Sequence, residues 1–130
     1  MRRLLFLTFA FFAIIAKAQT DVRLVRPEFS QSPNAKYRLY PTPNLWIFIK
    51  LNTSDGRLWI VQYSTTAGNQ LEVPLSQIER ADETKRKNGR FTLYSTQNMY
   101  NFLLLDQIDG RVWQVQWSMD GNNNIVIPIN

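Results

Sequence analysis

Two Asp-Gly-Arg tripeptides, Asp55-Gly56-Arg57 and Asp109-Gly110-Arg111, are the first residues in this chain whose types could do chemistry. Paired carboxylates act as acid and base, or as acid and nucleophile, in glycoside hydrolysis when they flank one bond about 5 to 10 Å apart. Aspartate before glycine is equally what a tight hairpin favours, because a type I′ turn needs positive φ at both central residues. Turn structure is the stronger reading, since the tips of two separate hairpins have no reason to converge. Glu72, Asp106 and Asp120 are the other carboxylates weighed for a hydrolytic site. The chain has no histidine and no cysteine, which removes the usual base near neutral pH, the commonest transition-metal ligand and all thiol chemistry. No catalytic residue, metal ligand or cofactor is therefore assigned.

Binding chemistry has better candidates. Trp46 and Tyr100 hold equivalent places in two similar segments, and flat aromatics on a sheet can stack on sugar rings or peptide side chains. Gln62 and Gln116 are retained while the residues around them change. A glutamine satisfied by nearby backbone explains that retention, and so does a ligand contact; the backbone reading is preferred. Thr42 and Asn44, with Thr96 and Asn98, recur before each aromatic and suit a turn clasp, because such side chains bond adjacent backbone groups. Trp46, Tyr100, Gln62 and Gln116 are the candidate ligand-binding set, with a glycan or a peptide as the ligand.

These residues are positioned by a tandem repeat. A shift of 54 positions aligns Tyr37 to Leu75 with Phe91 to Ile129 without a gap, and 15 of the 39 pairs are identical. Average composition would give roughly two or three, so the two segments are copies of one unit. Each copy reads as four short strands, in the first near Tyr37–Tyr40, Leu45–Leu51, Arg57–Ser64 and Gln70–Val73. They are rich in Trp, Ile, Val, Phe and Tyr and are broken by Gly, Pro, Asn and Asp. Alternation on the third strand puts Trp59, Val61 and Tyr63 on one face, matching Trp113, Val115 and Trp117; that face is expected to be core in both copies. The opposite face, with Leu58, Ile60 and Gln62 against Val112, Gln114 and Gln116, is less apolar in the second copy, where Asn101 also replaces Ile47.

The flanks set the context. Arg2 and Arg3, an apolar run from Leu4 to Ile15 and Ala16-Lys17-Ala18 read as a signal peptide over residues 1–18, with the exported form starting at Gln19. The 12-residue run is short of the roughly 18 to 20 residues that cross a bilayer, so no membrane insertion is expected after cleavage. Removing Arg2, Arg3 and Lys17 takes the 15 basic residues to 12 against 10 acidic ones, and the formal charge from +5 to +2. That balance, without a basic stripe, gives no reason to expect nucleic-acid binding. Residues 19–36 read as an extended N-terminal arm. In the linker 76–90, Ser76 with Glu79 fits a capping box and Asn88-Gly89 a helix stop, and a short helix and a charged linker both fit. Lys85, Arg86 and Lys87 there read as a solvated basic end.

The strings RLYPTPNLWIFIKL and DGRLWIVQYS, repeated as FTLYSTQNMYNFLLLDQIDGRVWQVQWS, resemble a group of short exported proteins of Bacteroides and its relatives that often carry this unit in tandem. Tyr63 departs from the tryptophan commoner at that place. The resemblance implies a Gram-negative, exported setting, periplasmic or extracellular, and brings no activity, substrate or site residue. Together these features predict an all-β protein of two four-stranded antiparallel units, packed about a pseudo-two-fold axis as a sandwich or partly closed barrel within residues 37–130. The functional expectation is a non-catalytic binding or interaction module. A carboxylate-dependent hydrolase and an envelope subunit that pairs through an edge strand are the alternatives.

Overall fold

The structure is a computed structural model that describes residues 32–130, so the expected signal peptide and most of the arm lie outside the described residues. Each repeat forms one antiparallel meander. Sheet I contains β1 (Tyr37–Pro41), β2 (Ile47–Asn52), β3 (Leu58–Gln62) and β4 (Leu71–Ser76); sheet II contains β5 (Phe91–Ser95), β6 (Asn101–Asp106), β7 (Val112–Gln116) and β8 (Ile125–Ile129). Among the described residues no strand of one sheet pairs with a strand of the other, so the product is a sandwich rather than a closed barrel. Residues 77–90 contain a single 3-10 turn, Glu83–Lys85, capped by Asp82 through Thr84 N. Ser76 caps nothing, because it ends β4 opposite Leu58.

Cross-strand partners share a face. Pairing of Lys50 with Trp59, Phe48 with Val61 and Val61 with Glu72 defines a tryptophan face on sheet I; Ile47, Ile49, Leu51, Leu58, Ile60 and Gln62 define its glutamine face. The equivalent tryptophan face of sheet II carries Phe102, Leu104, Trp113 and Val115, and its glutamine face Leu103, Leu105, Gln114 and Gln116.

The two copies bury opposite faces. In sheet I the core residues are Ile47, Ile49, Leu51, Leu58 and Ile60; in sheet II they are Phe102, Leu104, Trp113, Val115 and Trp117, with Phe91 and Leu93 from β5. The expected inward face is therefore correct for the second copy and reversed for the first, where Trp59 and Val61 are half-buried and Tyr63 is exposed on the outer surface. A two-fold axis would bury equivalent residues equally, whereas burial here alternates in opposite phase, so the sheets stack front to back. Packing gives a reason. Two tryptophan faces would set bulk against bulk, whereas the flat Ile/Leu surface of sheet I receives the large rings of sheet II.

The chain also records this choice. Leu104, fully buried, stands where the outer face of sheet I has Lys50, and the core-packed Val126 stands where it has Glu72. Ile47 and Ile60, each 2 % exposed, stand where the outer face of sheet II has Asn101 and Gln114. Lys50 and Glu72 form an ion pair, and Gln114 donates to Asn101 Oδ1 at 2.9 Å. Polar residues thus appear in each copy on the face that copy leaves open.

Candidate functional site

The hairpin tips hold most of the ionic chemistry. The β2–β3 loop is Thr53–Gly56, not a two-residue type I′ turn: Gly56 N donates to Asn52 O at 2.9 Å, and only Gly56 has positive φ, at 83°. Asn52 Oδ1 accepts from Ser54 N and Asp55 Oδ1 from Arg57 N, so two side-chain clasps fold the loop and draw Asp55 inward. Asp55 is 1 % exposed, with Oδ2 receiving Asn52 Nδ2 and Arg57 Nε. The same tip anchors neighbouring segments. Thr53 N donates to Lys36 O and Gly89 N to Thr53 Oγ1, so residues 32–36 are tied down rather than frayed. A side chain at Gly89, φ 87°, would meet Pro33 O at 2.5 Å, which restricts that close approach to glycine.

The second tip is built around Asp106, which stands where the first copy has Asn52. Arg90 binds it through Nε and Nη2, at 3.0 and 2.9 Å, and Arg111 Nη2 adds a third bond at 2.9 Å. Both Arg90 and Asp106 are buried. Burial pushes the Asp106 carboxyl up, but Arg90, the amides of Ile108 and Asp109, and Arg111 outweigh it and hold the group well below the usual carboxylate range. The hydrogen bond to Asp106 likewise raises Arg90, against its burial. Arg80 folds back from the linker to donate to Gly56 O and Ser76 Oγ and to cover Trp113, whose other cationic neighbour is Arg111. Burial pulls Arg80 down, opposed by Asp55.

The carboxylates weighed for hydrolysis are all engaged in such pairs. Asp55 is sealed in its loop, Asp106 lies under two arginines, Asp109 accepts from Arg90, Glu72 pairs with Lys50 and Asp120 with Ser118. Among the described residues no group of three or more acidic side chains could hold a metal. Asp55 is buried in its loop whereas Asp109 is half-exposed, and the two tips separate as a result. Asparagine at 55 would turn an amide towards Asn52 Nδ2 and Arg57 Nε, so Asp55→Asn should cost about 1 to 3 kcal/mol. Asp109, 53 % exposed, leaves Arg90 still held by Asp106, so Asp109→Asn should cost under about 1 kcal/mol. Urea unfolding of both variants checks this, and equal costs would refute the difference between the tips.

The candidate ligand-binding residues lie at the far ends of the sheets. Thr42 Oγ1 donates to Asn44 O and Ile47 O, and Asn44 Oδ1 accepts from Trp46 N; Thr96, Asn98 and Tyr100 repeat these bonds. Each clasp holds its aromatic against the ring that directly follows the third strand of its sheet: Trp46 with Tyr63 at 5.0 Å and Tyr100 with Trp117 at 5.4 Å between centroids. The glutamines brace the following loops, Gln62 Nε2 on Asn69 O and Gln116 Nε2 on Asn123 O. The four residues therefore form two equivalent pairs, not one site.

The pairs differ in openness. Trp117 is buried, with Nε1 bonded to Met99 O, whereas Tyr63 is 41 % exposed. At the sheet I end, Trp46, Gln62 and Tyr63 join Asn44, Asn69 and Gln70 around a cleft of about 480 Å³ that Met119 of the second repeat also lines. Tyr63, Asn69, Gln70 and Met119 are among the lining residues that sequence reasoning missed. The signal for Tyr63 was its departure from tryptophan, since the smaller ring without an indole N–H leaves this end open. A smaller cleft of about 400 Å³ on the tryptophan face of sheet I contains Lys50 and Glu72.

Fold and site together define an all-β sandwich with an uncharged aromatic-amide cleft. Comparison with protein-family models, curated proteins and solved structures returned no match.

Proposed function

We propose that the protein is a non-catalytic binding module of the periplasm or cell exterior that takes a neutral saccharide ring in the Trp46–Gln62–Tyr63 cleft. The observation that carries this reading is the lining. Two aromatic rings tilted by 51° sit beside the amides of Asn44 and Gln62, and no lining residue is an acid or a base of the carboxylate, lysine or arginine type. Aromatic faces stack on the C–H faces of a sugar while amides match its hydroxyls as donor and acceptor together. Gln62 uses Nε2 to brace the loop, which leaves Oε1 to accept from a ligand hydroxyl. The volume suits one or two rings, within the roughly 300 to 1,000 Å³ of small-ligand sites.

Titration of the protein with a panel of neutral oligosaccharides and uncharged peptides, followed by tryptophan fluorescence, tests this. Trp46→Ala should weaken saccharide binding about tenfold or more, equivalent to about 1.4 kcal/mol, and Tyr100→Ala should leave it unchanged. Saccharide binding indifferent to Trp46, or binding of peptides alone, would refute the assignment. The hydrolytic alternative gains no support, because no carboxylate lines this cleft.

A further inference from the structure

We infer that the saccharide taken by the Trp46–Gln62–Tyr63 cleft carries an acetamido group, an inference that rests on the binding reading above and specifies its ligand. The two amides that line the cleft are each fixed at one end by backbone. Asn44 Oδ1 accepts from Trp46 N at 2.9 Å, and Gln62 Nε2 donates to Asn69 O at 3.0 Å. Those bonds decide which way each amide is turned, since the reverse would set donor against donor at Asn44 and acceptor against acceptor at Gln62. Among the described residues Asn44 Nδ2 and Gln62 Oε1 have no hydrogen-bond partner. The lining therefore brings one group that only donates and one that only accepts.

Hydroxyl groups need no such division, because each of them donates and accepts. An acetamido group does need it: its N–H suits Gln62 Oε1, and its carbonyl oxygen suits Asn44 Nδ2. Its remaining part is a methyl, which calls for an apolar neighbour beside the glutamine. The register of sheet I supplies one. Leu71 is the cross-strand partner of Gln62, so the two side chains stand side by side on one face. Leu71 is 45 % exposed and Met119, from the second repeat, 49 %; with Trp46 and Tyr63 they are the exposed large apolar residues of the lining. Exposed apolar side chains gathered around one cleft mark a ligand site. The free amine of a deacetylated sugar would be cationic and would find no counter-charge, because no carboxylate lines the cleft.

Titration of the purified protein with chitotriose and with cellotriose tests this, since the two differ only in carrying an acetamido group or a hydroxyl on each ring beside the anomeric carbon. Followed by tryptophan fluorescence, the wild type should bind chitotriose at least about tenfold more tightly. Gln62→Leu removes the acceptor and Leu71→Ala the methyl's neighbour, and each should shrink that ratio to about threefold or less. Leu71→Ala leaves the Gln62 brace in place, so it carries the test if circular dichroism shows that Gln62→Leu disturbs the fold. Equal affinity for the two sugars, lost in Trp46→Ala, overturns the acetamido assignment while the saccharide reading stands. Binding of neither sugar, or binding that Trp46→Ala leaves unchanged, overturns both. A chitotriose preference that survives in either folded variant overturns the assignment to Gln62 and Leu71.

Discussion

Replacing Asp106 by alanine is expected to destabilise the protein by about 3 to 5 kcal/mol, the range for removing one partner of a buried ion pair. Arg90, with only 3 % of its side chain exposed, would keep its charge while losing both bonds to Asp106, and the half-exposed Asp109 could not replace them. The loop would also lose the Oδ1 that accepts from Ile108 N and Asp109 N. Asp106→Asn separates the two roles: it preserves an acceptor for the loop, as Asn52 does in the first repeat, but not the charge that Arg90 requires. Its cost should fall between wild type and alanine. Acidity gives an independent check. Because the folded carboxyl titrates below the unfolded value of about 3.9, its contribution is fully present above about pH 4 and is lost as pH falls through the folded value. Urea midpoints of wild type should therefore fall below about pH 4 more steeply than those of Asp106→Asn. Equal acid sensitivity would remove Asp106 from the centre of the tip.

The strands and the repeat were legible because they rest on local signals: β-branched and aromatic runs, glycine and asparagine breaks, and a gapless match between copies. The Thr-Asn clasps were legible for the same reason. The inward face of the first copy was not, because alternation alone says which residues share a face and never which face is covered. Comparing the copies for polar replacements would have resolved it. Lys50 against Leu104 and Glu72 against Val126 show the tryptophan face open in the first copy, just as Asn101 and Gln114 show the glutamine face open in the second. The ionic centre was hidden differently. Arg90 closed the linker and Asp106 was one carboxylate among several, and their sequence separation carried no periodic signal. A coupled change did mark them, since Arg90 and Asp106 stand where the first copy has Lys36 and Asn52. The four-residue loop escaped notice because Asp-Gly suits a two-residue turn, and only Asn52 and Asp55 acting together select the longer one.

Front-to-back stacking makes the two equivalent tryptophans unequal, and their alanine variants should show it. Trp113 is 9 % exposed, lies within the core, tilts against Phe91 at 6.2 Å and carries the Arg80 and Arg111 guanidinium groups at 5.6 and 5.1 Å from its ring centre. Trp113→Ala should cost about 3 to 5 kcal/mol through the cavity it leaves, and it also takes from the buried Arg80 the ring it lies over. Trp59 has a similar local setting, with Lys50 at 4.7 Å, Arg57 at 5.6 Å and Tyr37 edge-on, but no second sheet lies over it. Water can fill the space that Trp59→Ala leaves, so the cost should be about 1 to 2 kcal/mol, as for a half-buried side chain. Equal losses would mean that both tryptophans face one shared core, as a two-fold arrangement requires. A large loss at Trp113 with a small one at Trp59 is the result that only out-of-phase packing of the two repeats produces.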